Sequence, residues 1–285
     1  MSKKLFLSIG LFLIFQANAN AITILPEFDQ VNDFAVFGLK DSTITIGTGV
    51  TIINGDVASG PNGGGVLNKG TINGNYFKDP TSTLIPDPDF TITGSSSVKD
   101  LTDASNEAVA ASTAFDAFIA TQTFAAITGT QTINGNGDIN VIDVDSITLV
   151  NNDLILNGVP QEYFIFNIFG DFSLSSGMIE FTGGLPESHV LFNFPTTGLE
   201  IKISKSTSYA RGTFLAPYRD ISLDKAKLDG AIISGKNILI HSGAELNYYP
   251  FTPSNVIPEP STIFLLGLGM ALYYLLSINK LKKLV

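Results

Sequence analysis

The stretch Gly212-Thr-Phe-Leu-Ala-Pro-Tyr-Arg-Asp-Ile-Ser-Leu223 returns, at an offset of 18 residues, as Gly230-Ala-Ile-Ile-Ser-Gly-Lys-Asn-Ile-Leu-Ile240. Each copy has a glycine, a short apolar run, a turn rich in Pro, Gly, Asn or Asp, and a second run in which apolar residues alternate. Strands this short cannot bury an apolar face alone, whereas stacked coils bury it against each other as a continuous core. The repeat therefore predicts a mainly β fold, a parallel β-solenoid whose coil has that length.

Looser copies of the repeat precede it. Val190-Leu-Phe-Asn-Phe-Pro is followed by Leu199-Glu-Ile-Lys-Ile, and Tyr163-Phe-Ile-Phe-Asn-Ile by Phe172-Ser-Leu and Met178-Ile-Glu-Phe. Their longer spacing, roughly 24 to 26 residues, is expected of coils that carry loop insertions. Short strands separated by turn signals are also typical of a β-sandwich, which stays open as the alternative.

One segment breaks the strand pattern. Between Val98 and Phe124 glycine and proline are absent, alanine is frequent, and apolar residues such as Leu101, Ala108 and Phe115 recur at helical spacing. We predict one long α-helix at about 98–124, with Ser97 as its N-cap. Its apolar stripe needs a surface to cover, and the flank of the solenoid supplies one.

The N-terminus has the order of a secretory signal peptide. Lys3 and Lys4 precede an apolar run that ends at Phe15, and small residues before Ala19 and Ala21 provide two A-x-A cleavage points. The run is too short to cross a bilayer comfortably, so an uncleaved anchor helix is the weaker interpretation. We expect residues 1–21 to be removed on export and the domain to occupy residues 22–251.

Composition limits the class of protein. The 285 residues include no cysteine, so the stability of an exported chain must come from core burial. Once the terminal lysines are removed, 11 basic residues face 26 acidic ones, and the middle of the chain carries about −15; these lysines are Lys3, Lys4, Lys280, Lys282 and Lys283. Nucleic-acid binding is therefore not expected, because phosphate contacts need a basic surface.

Acidic residues in one strand pattern raise the question of calcium. Asp143 and Asp145 alternate with Ile142 and Val144, which places both carboxylates on the solvent face of a predicted strand. Calcium bound between adjacent strands would use such a pair. A solvated acidic face explains the same residues, so we expect no cofactor and keep calcium at Asp143 and Asp145 as a weak alternative.

We find no set of catalytic residues. The histidines His189 and His241 lie in predicted turns without a partner in sequence, and Arg211 and Arg219 are expected to make structural pairs, for example with Asp220. Nucleophile-elbow, P-loop and dinucleotide-binding motifs are absent. The chain is therefore predicted not to be an enzyme, although the acidic residues leave a polysaccharide-acting β-helix enzyme as an alternative.

Three features together resemble a known family. These are an early Phe34-Ala-Val-Phe-Gly, the central Ala-rich helix, and the late block that closes in Leu246-Asn-Tyr-Tyr-Pro-Phe251. The combination resembles the choice-of-anchor A domain, an extracellular bacterial domain, which implies an adhesive role and a β-helical fold. That family often has a histidine just before its closing aromatic-Pro-Phe, where this chain has Asn247 and Tyr248.

The C-terminus resembles a PEP-CTERM sorting signal. A linker, 252–257, leads to Pro258-Glu259-Pro260, an apolar stretch at 261–278 and basic residues to the end at 285. The resemblance implies processing by an exosortase-type membrane protease in a Gram-negative bacterium that makes exopolysaccharide. The apolar length and the lysines also fit a transmembrane helix with its C-terminus in the cytoplasm, so a plain membrane anchor is the alternative.

A more distant similarity concerns the ice-binding β-solenoid family, which combines a signal peptide, an early Phe-Ala-Val-like strand and one long helix. An ice-binding face needs threonines at one position of successive coils. Thr43, Thr45, Thr48 and Thr51 begin such a row, but the later strands carry Glu200, Lys202, Ser222, Asp224, Leu239 and His241. The sequence therefore favours an exported surface or extracellular-matrix adhesin with a surface glycan or exopolysaccharide as partner, and ice binding as the alternative.

Overall fold

Short parallel strands are stacked into coils, and one α-helix lies along their flank in the described part of the chain. The structure is a computed structural model, and it describes residues 25–253. The predicted signal peptide with Ala19 and Ala21, and the sorting segment with Pro258, Glu259 and Pro260, lie outside the described residues.

The strands fall into two groups that flank the helix α1 (Thr102–Asp116). The first group is β1 (Val36–Gly38), β2 (Thr43–Asn54), β3 (Val57–Ser59), β4 (Gly64–Asn73), β5 (Tyr76–Lys78), β6 (Thr83–Pro86), β7 (Phe90–Ile92) and β8 (Ser96–Val98). The second group is β9 (Gln122–Ile127), β10 (Gln131–Asn134), β11 (Ile139–Val150), β12 (Leu154–Asn157), β13 (Tyr163–Ile168), β14 (Phe172–Ser175), β15 (Ile179–Thr182), β16 (Val190–Asn193), β17 (Ile201–Ser204), β18 (Tyr209–Ala216), β19 (Ile221–Asp224), β20 (Lys227–Ser234), β21 (Ile238–Ile240) and β22 (Glu245–Tyr248). Two 3₁₀ turns, Val31–Asp33 and Glu187–His189, complete the described elements.

The strand register confirms the predicted solenoid. Gly212 pairs with Gly230 in the neighbouring coil, as the 18-residue offset requires. Every strand pairing in residues 25–253 is parallel. A β-sandwich of antiparallel strands is therefore wrong for this chain.

The coils do not follow one another in chain order along the stack. Val36 of β1 pairs with Ile232 of β20 on one side and with Val57 of β3 on the other. Strand β2 likewise lies between β4 and the strands β21 and β22. The first coil of the chain thus lies on the last coil, and the coils of β3 to β8 extend the stack beyond it.

This order requires a long return connection, which α1 provides. The chain finishes β8 at one end of the stack and starts β9 at the other. A helix of 15 residues rises about 22 Å, which corresponds to between four and five strand spacings of about 4.8 Å. The helix contacts β13, β16 and β18 on its way.

The helix is shorter than the predicted span of 98–124. It covers Thr102–Asp116, and β9 begins at Gln122; Gln122 and Ile127 pair with Ile142 and Ile147 of β11. Strand pairing thus overrides the helical propensity of this segment. Ser97 lies in β8 and is not the N-cap; the carboxylate of Asp79 instead accepts a hydrogen bond from the Leu101 N–H at 3.1 Å.

Aromatic side chains stack inside the coils. Phe166, Phe192 and Phe214 occupy the same register position of three successive coils. Their neighbouring ring centroids are 4.9 Å apart, and all three rings are fully buried. The same register position continues as Ile232 and Val36, so the core passes without interruption from the last coil to the first.

Two buried asparagines hold the C-terminal part of α1 on the coils. Asn193 donates to the Ser112 carbonyl at 2.9 Å and accepts from the Ser112 hydroxyl at 2.6 Å. Asn167, in the adjacent coil, donates to the Phe115 carbonyl at 3.2 Å and accepts from Asn193 at 2.9 Å. Buried amides without partners are costly, so these contacts set the position of the helix as well as stabilising it.

We predict that Asn193→Ala lowers the free energy of unfolding by about 2–4 kcal/mol, because it removes several buried hydrogen bonds and leaves their partners unpaired. Urea denaturation monitored by circular dichroism measures this loss. Asn136→Ala, at an exposed position, is the matched control and should change the free energy by about 0.5 kcal/mol or less. Equal stability of the two variants would contradict the role of Asn193.

Candidate functional site

One long face of the solenoid carries the most varied polar side chains. We call it the groove face, and it consists of the C-terminal half of β11, the strands β14, β17, β19, β21 and β6, and the N-terminal halves of β2 and β4. Alternation sets its outward positions, because Ile201, Ile203, Ile221 and Leu223 point inward and are fully buried. One outward row reads, coil by coil, Thr148, Ser173, Lys202, Ser222, Leu239, Thr45, Val66 and Ile85.

A groove of about 320 Å³ lies in the middle of this face. It is lined by Glu200, Lys202, Ser204, Ser222, Asp224 and His241. These residues come from β17, β19 and β21 or from the positions beside them, so three stacked coils build the groove. Its side chains extend from short strands of a rigid stack.

The groove has a mixed set of hydrogen-bonding groups. Lys202 Nζ lies 3.1 Å from Glu200 Oε2, so the ammonium is neutralised within the groove. Asp224 adds a second carboxylate, and Ser204 and Ser222 add hydroxyls that both donate and accept. The groove can therefore bind a ligand with many hydroxyl groups.

A corner rich in apolar side chains borders the groove. Phe169, Leu199 and Tyr218 lie in the turns that precede β14, β17 and β19, and their exposed fractions are 36%, 68% and 39%. Leu199 directly precedes Glu200 of the groove. Large apolar side chains exposed close together are characteristic of binding surfaces.

Arg219 lies beneath this corner and is only 1% exposed. Its guanidinium donates to the Thr196 carbonyl at 2.7 Å, to the Phe169 carbonyl at 2.6 Å and to the Gly170 carbonyl. Burial lowers the pKa of Arg219, whereas the charge of Asp171 opposes this shift. The prediction of a structural arginine is confirmed, but its partners are the carbonyls of two neighbouring turns and not Asp220.

The second arginine also has local partners. Arg211 forms an ion pair with Glu187 and lies 4.7 Å from the centroid of the Phe181 ring. Tyr209, two residues earlier, donates a hydrogen bond to Asp229. Burial raises the pKa of the Tyr209 hydroxyl, and the bond to Asp229 and its charge raise it further. The charged groups of this cluster are paired with one another, although the buried Nε of Arg211 has no hydrogen-bond partner among the described residues.

An asparagine ladder runs along a different face. Asn73 donates to Asn54 at 2.7 Å, Asn54 to Asn247 at 2.7 Å, and Asn247 to Asp229 at 2.8 Å. Each amide thus bonds to the next coil, which stabilises the register of the stack. Asn247, in the region where choice-of-anchor A domains often have a histidine, is a structural residue of this ladder.

The structure separates the other residues singled out from sequence. His241 lies in the groove, whereas His189 is stacked on Tyr163 with ring centroids 4.0 Å apart. Asp143 accepts a hydrogen bond from Asn167 at 3.2 Å, and Asp145 is exposed. Residues 25–253 contain no group of three or more His, Cys, Asp or Glu residues that could hold a metal ion. Calcium at Asp143 and Asp145 therefore stays a prediction.

Sequence reasoning named most of the groove residues but not the groove. The sequence predicts only an irregular row unsuited to ice binding, and that row includes Glu200, Lys202, Ser222, Asp224 and His241. The register now shows Lys202 opposite Ser222 and Ile201 opposite Ile221. This pairing spans 20 residues rather than 18, so the repeat length alone misaligns the side chains that meet in the groove.

The fold defines the class of protein as a parallel β-solenoid with a lateral helix, and solved structures share it. An ice-binding protein from the Antarctic ascomycete Antarctomyces psychrotrophicus is 20% identical with a TM-score of 0.54, and the match covers 80% of this chain and 99% of that chain. Ice-binding proteins from an Antarctic biological consortium and from an Arctic yeast are 18% and 17% identical, with TM-scores of 0.59 and 0.57. These matches cover 80% and 81% of this chain and 92% and 97% of those chains. At such identities the likeness concerns the fold alone.

The sequence profile of a family described as "Putative Ice-binding-like adhesive domain" matches residues 22–248. The chain belongs to this family. A second profile, the PEP-CTERM protein-sorting motif, matches residues 256–277, a span that contains Pro258, Glu259 and Pro260. This motif marks an exported surface protein that an exosortase-type membrane enzyme processes. A comparison with curated protein sequences gives no significant match, and the narrower assignment to choice-of-anchor A stays a prediction.

We predict that Arg219→Ala lowers the free energy of unfolding by about 3–5 kcal/mol, because three carbonyls lose their buried donor. Arg219→Lys should restore only part of this loss, since an ammonium cannot reproduce the planar fork of donors. Chemical denaturation of the two variants and the wild type gives the three values. A fully stable alanine variant would show that Arg219 does not hold the corner.

Proposed function

We propose that the protein is an exported, non-catalytic adhesin that binds a neutral polysaccharide of a cell surface or extracellular matrix along its groove face. The observation that carries this proposal is the charged and hydroxyl-lined groove in the middle of that face. Family membership supports the adhesive role, and the sorting motif supports delivery to the outside.

The chemistry of the groove favours a neutral sugar chain. Sugar hydroxyls both donate and accept, and Asp224, Ser222 and the pair of Glu200 with Lys202 provide groups of both kinds. Leu199 and Tyr218 border the groove and suit the apolar faces of sugar rings. Acidic polysaccharides are disfavoured because the middle of the chain carries a large negative charge and Lys202 is already paired.

The same face argues against ice binding. The outward row of one residue per coil alternates among hydroxyl, cationic and aliphatic side chains, and the groove interrupts its flatness. Thr51, one of the threonines expected to begin an array, is buried and donates to the His241 carbonyl at 3.1 Å. Ice-binding proteins with this fold supply the alternative, and a measurement of thermal hysteresis tests it.

We predict that Asp224→Ala weakens binding of neutral polysaccharide about 10- to 100-fold, because a hydrogen bond to a charged group contributes about 1.5–3 kcal/mol. Isothermal titration of the wild type and the variant with a panel of neutral and acidic polysaccharides gives the affinities. Asp145→Ala removes an exposed carboxylate outside the groove and should leave the affinity unchanged.

The alternatives give different signals in the same samples. Shortened or unsaturated sugar chains that disappear in Glu200→Gln would show that the protein is an enzyme. Thermal hysteresis of the wild-type solution, reduced by Lys202→Ala or Ser222→Tyr on the outward row, would show ice binding. Equal binding by wild type and Asp224→Ala would remove the groove from the proposal.

The C-terminal tail has a separate part in this proposal. Residues 261–278 hold the chain in the inner membrane, with Lys280, Lys282 and Lys283 on the cytoplasmic side, until a cut near Pro258-Glu259-Pro260 releases it. The sorting profile supports the cut. No helix within residues 25–253 is long and apolar enough to cross a membrane, and the tail lies outside that range.

We predict that Glu259→Gln makes the full-length chain accumulate in the membrane fraction, whereas the wild-type surface form ends near Pro258. A plain anchor depends on apolar length and flanking lysines, so it would not respond to this change. Intact-mass analysis of surface and membrane fractions distinguishes the two cases, with Ser254→Ala as the control. Surface protein that still extends to Val285 would contradict the sorting mechanism.

A further inference from the structure

The two ends of the solenoid are protected differently. At the end formed by β6, β7 and β8, β6 stops at Pro86 and is followed by Asp87, Pro88 and Asp89. Lys99 follows β8, and its Nζ lies 3.0 Å from Asp33 Oδ2. Proline and charged residues at an edge disfavour pairing with another strand, so β6 and the turn after it protect part of this end, although β7 and β8 each pair on one side only within residues 25–253.

The opposite end has no such protection. In the described residues, β9 pairs with β11 only and β10 with β12 only, so each of them has one free edge. Residues 117–137, which contain both strands, include no charged residue and no proline, although charged residues make up 15% of the chain. An edge of this kind presents unpaired N–H and C=O groups to a further strand.

The surface of this end is polar without charge. The Gln122 amide donates to the Asn134 carbonyl across the coil at 3.1 Å, and Asn134 in turn accepts from Asn157 at 2.9 Å. Thr123 and Ala125 of β9 are exposed, and the neighbouring Ile119 is 91% exposed. Terminal coils of a solenoid need a polar outer face to stay soluble, and this one has hydrogen-bonding groups that a matching strand can satisfy.

We infer that this end pairs with a second copy of the chain, β9 antiparallel to β9 about a two-fold axis. Head-to-tail stacking would place Pro86, Asp87 and Asp89 of one copy against the uncharged end of the next, whereas contact between identical ends closes the assembly as a dimer. Self-pairing needs no charge complementarity, which fits a segment without charges. The dimer does not depend on the proposed ligand, because the groove is formed by β17, β19 and β21.

The dimer has a consequence for adhesion. Each particle carries two grooves at a fixed separation, so a long polysaccharide can be held at two sites. Binding at the second site is then intramolecular, which increases the overall affinity without a new contact.

A single introduced cysteine tests the contact, since the natural chain contains none. Ala125 lies near the middle of β9, where opposed residues of an antiparallel pair are about 4.5–5.5 Å apart between Cα atoms, within the range that a disulfide spans. The full-length chain with Ala125→Cys, exported by a bacterial host, should form a covalent dimer on non-reducing gels. Ser96→Cys, in β8 at the end that carries Pro86, Asp87 and Asp89, should stay monomeric.

Sedimentation analysis of the detergent-solubilised chain supplies the second measurement. The wild type should sediment at twice the chain mass, and Ala125→Lys at the chain mass with an unchanged circular-dichroism spectrum. A monomeric wild type, or equal crosslinking of Ala125→Cys and Ser96→Cys, would overturn the inference. A dimer that binds no polysaccharide would contradict the proposed function and leave the dimer intact.

Discussion

The structure depends on the backbone pairing that joins the beginning of the chain to its end. Strand β1 lies between β20 and β3, and β2 pairs with β21, β22 and β4. Without β1 and β2 the last coil would expose its edge and its apolar interior, and the coils of β3 to β8 would be separated from it. Such pairing is highly non-local and slow to form.

The helix follows from this arrangement. The first group of strands extends the stack away from the contact between β1 and β20, and the second group begins at the opposite end. The chain must therefore return along the stack before β9 can form. A strand could not make this connection alone, because its exposed backbone would lack partners. The helix satisfies its own backbone, and Asn167 and Asn193 attach it to the coils through buried hydrogen bonds.

The sequence predicts the coil, which recurs along the chain. It does not predict the helix limit or the groove, because both depend on residues that are distant in sequence. The offset between Gly212 and Gly230 gives the coil because those residues are adjacent in space. The predicted C-terminal limit of the helix, Phe124, is wrong because Gln122–Ile127 pairs with β11. The groove could not be predicted because the coils differ in length, which shifts the register between them. Counting a constant period therefore does not place Asp224 beside Glu200.

Inward and outward positions of the coils are under different physical constraints. Inward residues such as Phe192 and Ile232 must fit the coil above and below, so the same fold imposes the same apolar pattern on distantly similar chains. Outward residues such as Lys202 and Asp224 contact solvent and can change without loss of the stack. A shared solenoid with ice-binding proteins therefore constrains the ligand little, and the ligand has to be argued from the outward side chains alone. In this chain those side chains form a groove with paired charges and hydroxyls, and the proposal of a solvated polymer as ligand rests on them.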